Sequence, residues 1–118
     1  METPSALRAL GALAQPTRLA LFRHLVERGA EGACAGSLAE SLGVAAATLS
    51  FHLKELSHAG LVGSAQEGRF VRYTANLGAV QALVVYLTEN CCGGDPSKCM
   101  PLGVSVPYKN ARKSARTG

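Results

Sequence analysis

The chain has 118 residues, 47% of them hydrophobic, and is long enough to form one domain with a real core. Aromatic residues make up only 5%, so the core is expected to consist of Leu, Val and Ala. The formal net charge is +4, but the last ten residues hold four bases and no acid, which leaves eight bases and eight acids in residues 1–108. Any affinity for nucleic acid must therefore come from the local placement of cations.

The sequence lacks the features of secreted proteins, membrane proteins and enzymes. Arg8 interrupts the apolar N-terminal segment and no basic region precedes it, so we expect no signal peptide. No apolar run approaches the ~20 residues of a membrane-spanning helix. We therefore expect a cytoplasmic protein with reduced thiols. The three histidines have no nucleophile and acid arranged around them, and no Gly-rich phosphate loop exists, so we do not expect an enzyme.

Two helices and a linker are predicted in the N-terminal part of the chain. The first covers residues 4–13, and the second starts at Pro16, where a missing N–H costs nothing, and ends at Gly29. Residues at helical spacing are predicted to face the core: Leu7, Leu10 and Leu13, with Ala6 beside them, in the first helix, and Leu19, Phe22, Leu25 and Val26 in the second. The small residues of segment 30–36 predict a flexible linker.

The following residues have the pattern of a helix-turn-helix. Ser37 is predicted to cap a helix together with Glu40 in an S-x-x-E capping box, and Gly43 lies where this helix must stop. The second helix, residues 45–59, has one buried stripe at i, i+4 and i+7, formed by Leu49, Leu53 and Leu56. Its opposite face mixes small, hydroxyl, aromatic and cationic side chains, which suits entry into a major groove.

A β-hairpin is predicted after the second helix. Residues 61–65 and 70–75 are β-prone and flank a turn at Glu67–Gly68. The predicted fold class is therefore mainly α with a small β-hairpin, arranged as a winged helix-turn-helix. A winged helix can also serve as a protein-interaction module, but the hydroxyl and cationic residues of the second helix and the wing favour DNA.

Residues 77–92 are predicted to form a last helix that is apolar nearly all round. One face is marked at helical spacing by Leu77, Val80, Val84 and Leu87. A helix with one solvent-exposed side would carry polar residues there, and this one does not. We therefore predict a homodimer that buries the second apolar face. The alternative is that the N-terminal helix covers this face entirely.

The chain is predicted to divide at residue 92. We expect residues 1–92 to form the DNA-binding and dimerisation domain and residues 93–118 a Cys-containing, basic, largely flexible tail, since the sequence after Met100 has little core-forming character. Two interpretations of the basic residues in this tail remain open: added phosphate contacts, or a solvated segment.

Three separated motifs occur within residues 8–92: ALAQPTRLALFRHL, SLAESLGVAAATLSFHLKELSHAGLV and EGRFVRY. Together they resemble the ArsR/SmtB family of metal- and metalloid-responsive repressors. The resemblance implies a winged-helix homodimer that binds double-stranded operator DNA upstream of a detoxification operon and dissociates from it when a toxic ion binds to the protein. It also implies a set of DNA contacts in the recognition helix and the wing: Thr48, Ser50, Phe51, Lys54, Arg69 and Arg72.

Two recognition-helix residues each allow two interpretations. Phe51 stands where a polar residue often lies in the family, and it either rests on a thymine methyl or shields the helix. His52 lies at the edge of the leucine stripe and is either a packed structural residue, which we favour, or a DNA contact.

The family's best-known inducer site is a group of several cysteines at the start of the first motif helix. The matching stretch here is GACAGSLAE, in which Cys34 alone remains. Because one thiol cannot retain a metalloid in competition with water and cellular thiols, we expect this site to be absent and Cys34 to be a small buried residue.

The other cysteines cluster near the end, in CCGGDPSKC: Cys91, Cys92 and Cys99. Turn-forming residues between them can bring the third thiol to the pair, and Lys98 favours the thiolates that soft ions require. Three thiolates without an obvious fourth ligand suit a trivalent metalloid better than structural zinc. Some ArsR members are similar here, which implies sensing of As(III). We predict that Cys91, Cys92 and Cys99 bind As(III) or Sb(III) as three thiolates. A methylated trivalent arsenical needs only two thiols, so Cys91 and Cys92 would suffice for it.

Alternatives remain for these thiols. They are a redox-sensitive disulfide between Cys99 and one of the pair, a Zn(II), Cd(II) or Pb(II) site completed by Asp95 or by the other subunit, and an incidental cluster.

Metalloid binding is expected to act through the dimer. Gathering the thiols should shift the dimerisation helix and change the separation of the two recognition helices. DNA half-sites lie about 34 Å apart, so a small displacement spoils docking.

Overall fold

The computed structural model describes residues 1–89, which contain five helices and a three-stranded sheet. The elements are α1 (Thr3–Leu13), α2 (Pro16–Arg28), a 3₁₀ turn (Gly29–Glu31), β1 (Ala33–Cys34), α3 (Ala35–Leu42), α4 (Ala46–His58), β2 (Val62–Glu67), β3 (Phe70–Ala75) and α5 (Leu77–Thr88). The predicted winged helix-turn-helix is confirmed. Met1–Leu87 forms one compact unit, whereas the predicted boundary at residue 92 lies outside the described residues and stays a prediction.

Leucines form most of the core, as the low aromatic content predicts. Six are fully buried: Leu21, Leu25, Leu38, Leu49, Leu56 and Leu61. Between α3 and α4, Gly43 has a φ of 67°, and its N–H donates to the carbonyl of Glu40 at 3.3 Å. A left-handed residue here ends α3 and turns the chain, which confirms the predicted role of Gly43.

The core-facing residues predicted for α1 are correct for Ala6 and for the partly buried Leu13 but wrong for the other two leucines. Ala6, Ala9 and Ala12 are buried, whereas Leu7 and Leu10 are exposed. Alanine at every third position lets the α1 backbone approach α2 and α4 closely, so the short side chains occupy the side with the least room. The two exposed leucines of α1 therefore point away from the core.

The buried face of α2 also differs from the predicted one. The helix starts at Pro16 as predicted, but Leu19 and Val26 are exposed. Phe22 and Leu25 are buried as predicted, and packing against α4 and β3 adds Leu21 to them. The buried residues of α2 are Leu21, Phe22 and Leu25.

The segment predicted as a flexible linker contains a strand. In β1, Ala33 and Cys34 pair antiparallel with Tyr73 and Arg72 of β3. A Cβ at Gly32 would lie 2.2 Å from the carbonyl oxygen of Tyr73, so only glycine lets this segment approach β3. The two-residue strand is too short to show any periodicity in the sequence.

Helix α3 begins earlier than predicted. Because β1 ends at Cys34, this residue takes the N-cap position and the helix starts at Ala35. Ser37 consequently lies inside the helix, and no side chain caps its first turn. The predicted capping box between Ser37 and Glu40 is wrong.

Strands β2 and β3 form the wing. They pair antiparallel from Val62 opposite Ala75 to Glu67 opposite Phe70, and the sheet order is β1-β3-β2. The two residues between the strands form the turn, in which Gly68 has a φ of 62°. The hairpin is confirmed, but its turn lies one residue later than predicted.

Helix α5 packs one side on the core and exposes its other apolar side chains. Leu77, Val85 and Leu87 are each more than half exposed. A hydrogen bond joins the hydroxyls of Thr3 in α1 and Tyr86 in α5, yet α1 does not cover these three residues. The alternative in which the N-terminal helix covers this face entirely is therefore wrong. Within residues 1–89, no helix has the length and apolar character to cross a membrane.

Candidate nucleic-acid interface

Helix α4 is held by one face and presents the opposite face to solvent. Leu49, Leu53 and Leu56 are buried on the side that packs against α1, α2, α3 and β2, which confirms the predicted stripe. All four residues of this helix that were predicted to bind DNA are exposed: Thr48, Ser50, Phe51 and Lys54. At about 100° per residue, Phe51 and Lys54 lie near the centre of the exposed face. The leucines thus position hydroxyl, aromatic and cationic groups together.

The first turn of α4 is also open to solvent. The helix begins at Ala46, and no side chain caps it. Residues 45–47 are exposed alanines, which leave its first N–H groups without bulky cover. A helix start of this kind suits a phosphate oxygen.

His52 lies on the buried side of α4 and is only 7% exposed. Arg18 of α2 donates from Nη1 to His52 Nδ1 at 3.2 Å and from Nε to the carbonyl oxygen of Ala12 at 2.7 Å. An accepting Nδ1 requires the neutral Nε2–H tautomer. Burial, followed by the charge of Arg18, lowers the pKa of His52, while Glu55 acts in the opposite direction. The packed structural interpretation of His52 is confirmed.

The rings of Phe51 and His52 contact each other. Their centroids lie 5.4 Å apart and their planes meet at 63°, an edge-to-face arrangement. Phe51 nevertheless remains 55% exposed. The outward ring is therefore supported on one side by a buried ring.

The two cations predicted on the wing have different surroundings. Arg69 lies in the turn and, among the described residues, forms no salt bridge. Arg72 Nη2 lies 2.9 Å from Glu67 Oε1, and Arg72 Nη1 donates to the carbonyl oxygen of Glu31. The hydrogen bond from Arg72 lowers the pKa of Glu67. Arg72 thus ties the wing to the 3₁₀ turn, whereas the charge of Arg69 is available.

Comparison with known proteins identifies the family of the chain. A helix-turn-helix domain model matches residues 13–63. An ArsR-like transcriptional regulator from Rhodococcus sp. RHA1 is 30% identical, with 71% of this chain and 76% of that chain covered and a TM-score of 0.65. The chain belongs to the ArsR family of transcriptional regulators.

Two further structures are similar to this ArsR-family chain. HlyU from Vibrio cholerae N16961 is 30% identical, with 78% of this chain and 99% of that chain covered and a TM-score of 0.61. The antimony-specific transcriptional repressor AntR is 25% identical, with 73% and 77% covered and a TM-score of 0.58. No curated protein matches the chain. The predicted ArsR/SmtB resemblance is confirmed, and this family consists of DNA-binding regulators rather than enzymes.

Two residues near the interface of this ArsR-family chain were not predicted from the sequence. Arg18 anchors His52 across 34 positions of sequence, a separation that no local pattern reveals. Phe70 begins β3 next to Arg69 and is 64% exposed. Phe70 directly follows Arg69, a cation in the turn of the wing. This position next to a predicted DNA-contacting cation is the signal that would have indicated an exposed Phe70.

The cysteines fall in two parts of the chain. Cys34 is only half-buried, not buried as predicted, and lies at the end of β1 opposite Arg72. Within residues 1–89, no group of three or more His, Cys, Asp or Glu side chains lies together as metal ligands would. The predicted metalloid ligands lie outside the described residues, and their assignment stays a prediction: Cys91, Cys92 and Cys99.

Proposed function

We propose that the protein is a cytoplasmic, homodimeric repressor of an arsenic-resistance operon. It leaves its operator when As(III) or Sb(III) binds at Cys91, Cys92 and Cys99, or when a methylated trivalent arsenical binds at the adjacent pair Cys91 and Cys92. The observation that carries the DNA-binding part is the outward face of α4, where exposed hydroxyl, aromatic and cationic side chains stand on a buried leucine stripe. Membership of the ArsR family supports the regulatory role.

In this proposal α4 enters the major groove and the wing follows the DNA backbone. Thr48 and Ser50 of α4 suit base edges, while Lys54 and Arg69 suit phosphates. Arg72 contacts a phosphate only when its ion pair with Glu67 breaks, because the carboxylate and the phosphate compete for the same guanidinium group. The cations of one subunit are few, so a dimer that doubles them strengthens binding.

The second copy is proposed to pair through α1 and α5. The large apolar side chains that these two helices expose include Leu7, Leu10, Leu77, Val85 and Leu87. The hydrogen bond between Thr3 and Tyr86 brings the start of α1 beside the end of α5. Exposed apolar residues that share one region mark an association surface, and self-association is the commonest way to cover it.

The thiols beyond α5 support a trivalent metalloid as the inducer. Helix α5 ends at Thr88, shortly before Cys91. Three thiolates fill the three bonding directions of As(III) or Sb(III), whose lone pair occupies the fourth, whereas structural zinc wants four ligands. AntR, a neighbour at 25% identity, is antimony-specific, which supports this class of ion. A thiol-redox trigger and a Zn(II), Cd(II) or Pb(II) trigger would use the same residues.

Release is proposed to pass through the dimer contact. Gathering thiols that follow α5 moves the end of a helix whose exposed face pairs the subunits. The two recognition helices must span half-sites about 34 Å apart, so a shift at this contact prevents both from docking. An inducer that favours the released form by about 1.4 kcal/mol lowers operator affinity tenfold.

Serine variants test the inducer site. With a labelled fragment of the upstream DNA, fluorescence anisotropy is expected to show that Cys91→Ser and Cys92→Ser retain operator affinity but are not released by arsenite. Cys34→Ser is the matched control and keeps both properties. Loss of operator binding in Cys91→Ser before any arsenite is added would mean that this cysteine is structural.

A further inference from the structure

An exposed aromatic ring stands among polar neighbours on the outward face of α4. We propose that Phe51 determines operator specificity by packing on the C5-methyl group of a thymine, and that Arg18 and His52 position its ring for this contact. The inference rests on the proposed insertion of α4 into the major groove and names what one position of that helix recognises.

The chemistry of the major groove selects thymine. Exposing an aromatic ring to water is unfavourable, and Phe51 is 55% exposed near the centre of a face that also carries Lys54. Among the base edges in the major groove of unmodified DNA, only thymine offers an apolar group, its C5-methyl. A phenyl ring at this position can donate no hydrogen bond to a base, so the methyl group is the feature it distinguishes.

Contacts behind the ring explain why its position is defined. The ring of Phe51 meets that of His52 edge to face at 5.4 Å. His52 cannot turn freely, because it is buried and its Nδ1 accepts a hydrogen bond from Arg18 at 3.2 Å. Arg18 is fixed in turn by its bond to the carbonyl oxygen of Ala12 at the end of α1. A line of contacts thus runs from the α1–α2 corner to the outward ring.

Arg18 and His52 are therefore positioning residues rather than DNA contacts. Their effect on binding passes through Phe51, so it should be visible only when the methyl group is present. Dependence on the methyl group distinguishes a positioning role from a general contribution to stability. A loss of stability would weaken binding equally to DNA with and without the methyl group.

The test uses the reduced full-length protein and an operator duplex in which each thymine is replaced, one symmetric pair at a time, by deoxyuridine. At one pair, removal of both methyl groups is expected to weaken wild-type binding roughly fifteenfold. This is the square of the roughly fourfold factor for one buried methyl group. Phe51→Ala is expected to bind more weakly and to be insensitive at that pair, and the exposed control Ser57→Ala keeps the full effect.

The positioning part is tested with His52→Asn, whose side-chain oxygen can still accept from Arg18 but which lacks the second ring. It is expected to lose most of the methyl effect while binding the deoxyuridine duplex as wild type does. An unchanged methyl effect in His52→Asn would refute the role of His52. Wild-type binding that is indifferent to every thymine methyl overturns the assignment of Phe51 alone. Binding to no operator fragment at all overturns this inference together with the proposed function.

Discussion

Helices α4 and α5 both carry apolar residues at helical spacing, but they differ in what their outer faces hold. The outer face of α4 is mostly hydroxyl and cationic, with Phe51 as its exposed large apolar residue. The outer face of α5 is apolar, with Leu77 and Leu87 both more than half exposed. A polar outer face suits water and DNA, whereas an apolar one suits another protein surface. The difference separates the proposed DNA recognition by α4 from the proposed subunit pairing through α5.

The largest expected effect comes from placing a charge on the outer face of α5. Val85→Glu buries two carboxylates in the proposed dimer contact and should give a monomer by light scattering. Operator affinity should fall roughly 10²- to 10⁴-fold, because the second recognition helix no longer binds as part of one molecule. Gln81→Glu, on an exposed polar position of the same helix, is the control and should stay dimeric. A dimeric Val85→Glu protein with normal affinity would remove α5 from the pairing surface.

A second contrast lies between neighbouring residues of α4. Leu53→Ala should lower the free energy of unfolding by about 2–5 kcal/mol, because it leaves a cavity in the core. Lys54→Ala should change stability by no more than about 0.5 kcal/mol, since Lys54 is exposed, and should instead weaken operator binding. Urea unfolding and anisotropy distinguish these outcomes. Equal losses of stability in the two variants would contradict the orientation of the helix.

The wing offers a contrast between its two cations. Arg69→Ala should reduce the slope of log affinity against log salt by roughly 2 per dimer, because each subunit loses one phosphate contact. Glu67→Gln should tighten binding, since it frees Arg72 and removes a negative charge from the wing. Titrations at several salt concentrations measure both effects. Weaker operator binding in Glu67→Gln would show that Arg72 acts by bracing the wing and not through a phosphate.

The smallest expected effect is on the pH dependence of stability. The pKa of His52 lies below its ordinary value of 6.5 in the folded chain, so the unfolded chain binds the proton more tightly. Stability from this residue is complete above pH 6.5 and is lost as the pH falls below it, with a slope of at most ~1.4 kcal/mol per pH unit.

Burial of His52 is the main cause of this lowered pKa, and the charges around it modify the effect. Arg18 from α2 opposes its protonation and Glu55 on α4 favours it, while Glu40 on α3 is exposed and Glu67 on β2 pairs with Arg72. Urea unfolding at pH 7.5 and 5.5 should show a smaller difference for His52→Asn than for the wild type. The same difference in both proteins would mean that another group titrates.

The sequence predicts those parts of the molecule whose residue pattern allows one interpretation. The leucine stripe of α4 has polar neighbours on its other side, so its buried face was predicted correctly. In α1, alanines and leucines share the same spacing, and only close packing against α2 and α4 decides that Ala9 is buried and Leu10 exposed. Strand β1 and the contact between Arg18 and His52 join distant positions, so local periodicity does not reveal them.

The central claim, that metalloid capture beyond α5 dislodges α4 from DNA, is tested most directly by titrating the reduced protein–operator complex while following anisotropy. Arsenite is expected to release the DNA at about one equivalent per subunit, whereas Zn(II) and peroxide at the same equivalents leave the complex intact. A complex that stays bound when saturated with arsenite, or that zinc dissociates at low equivalents, would contradict the account.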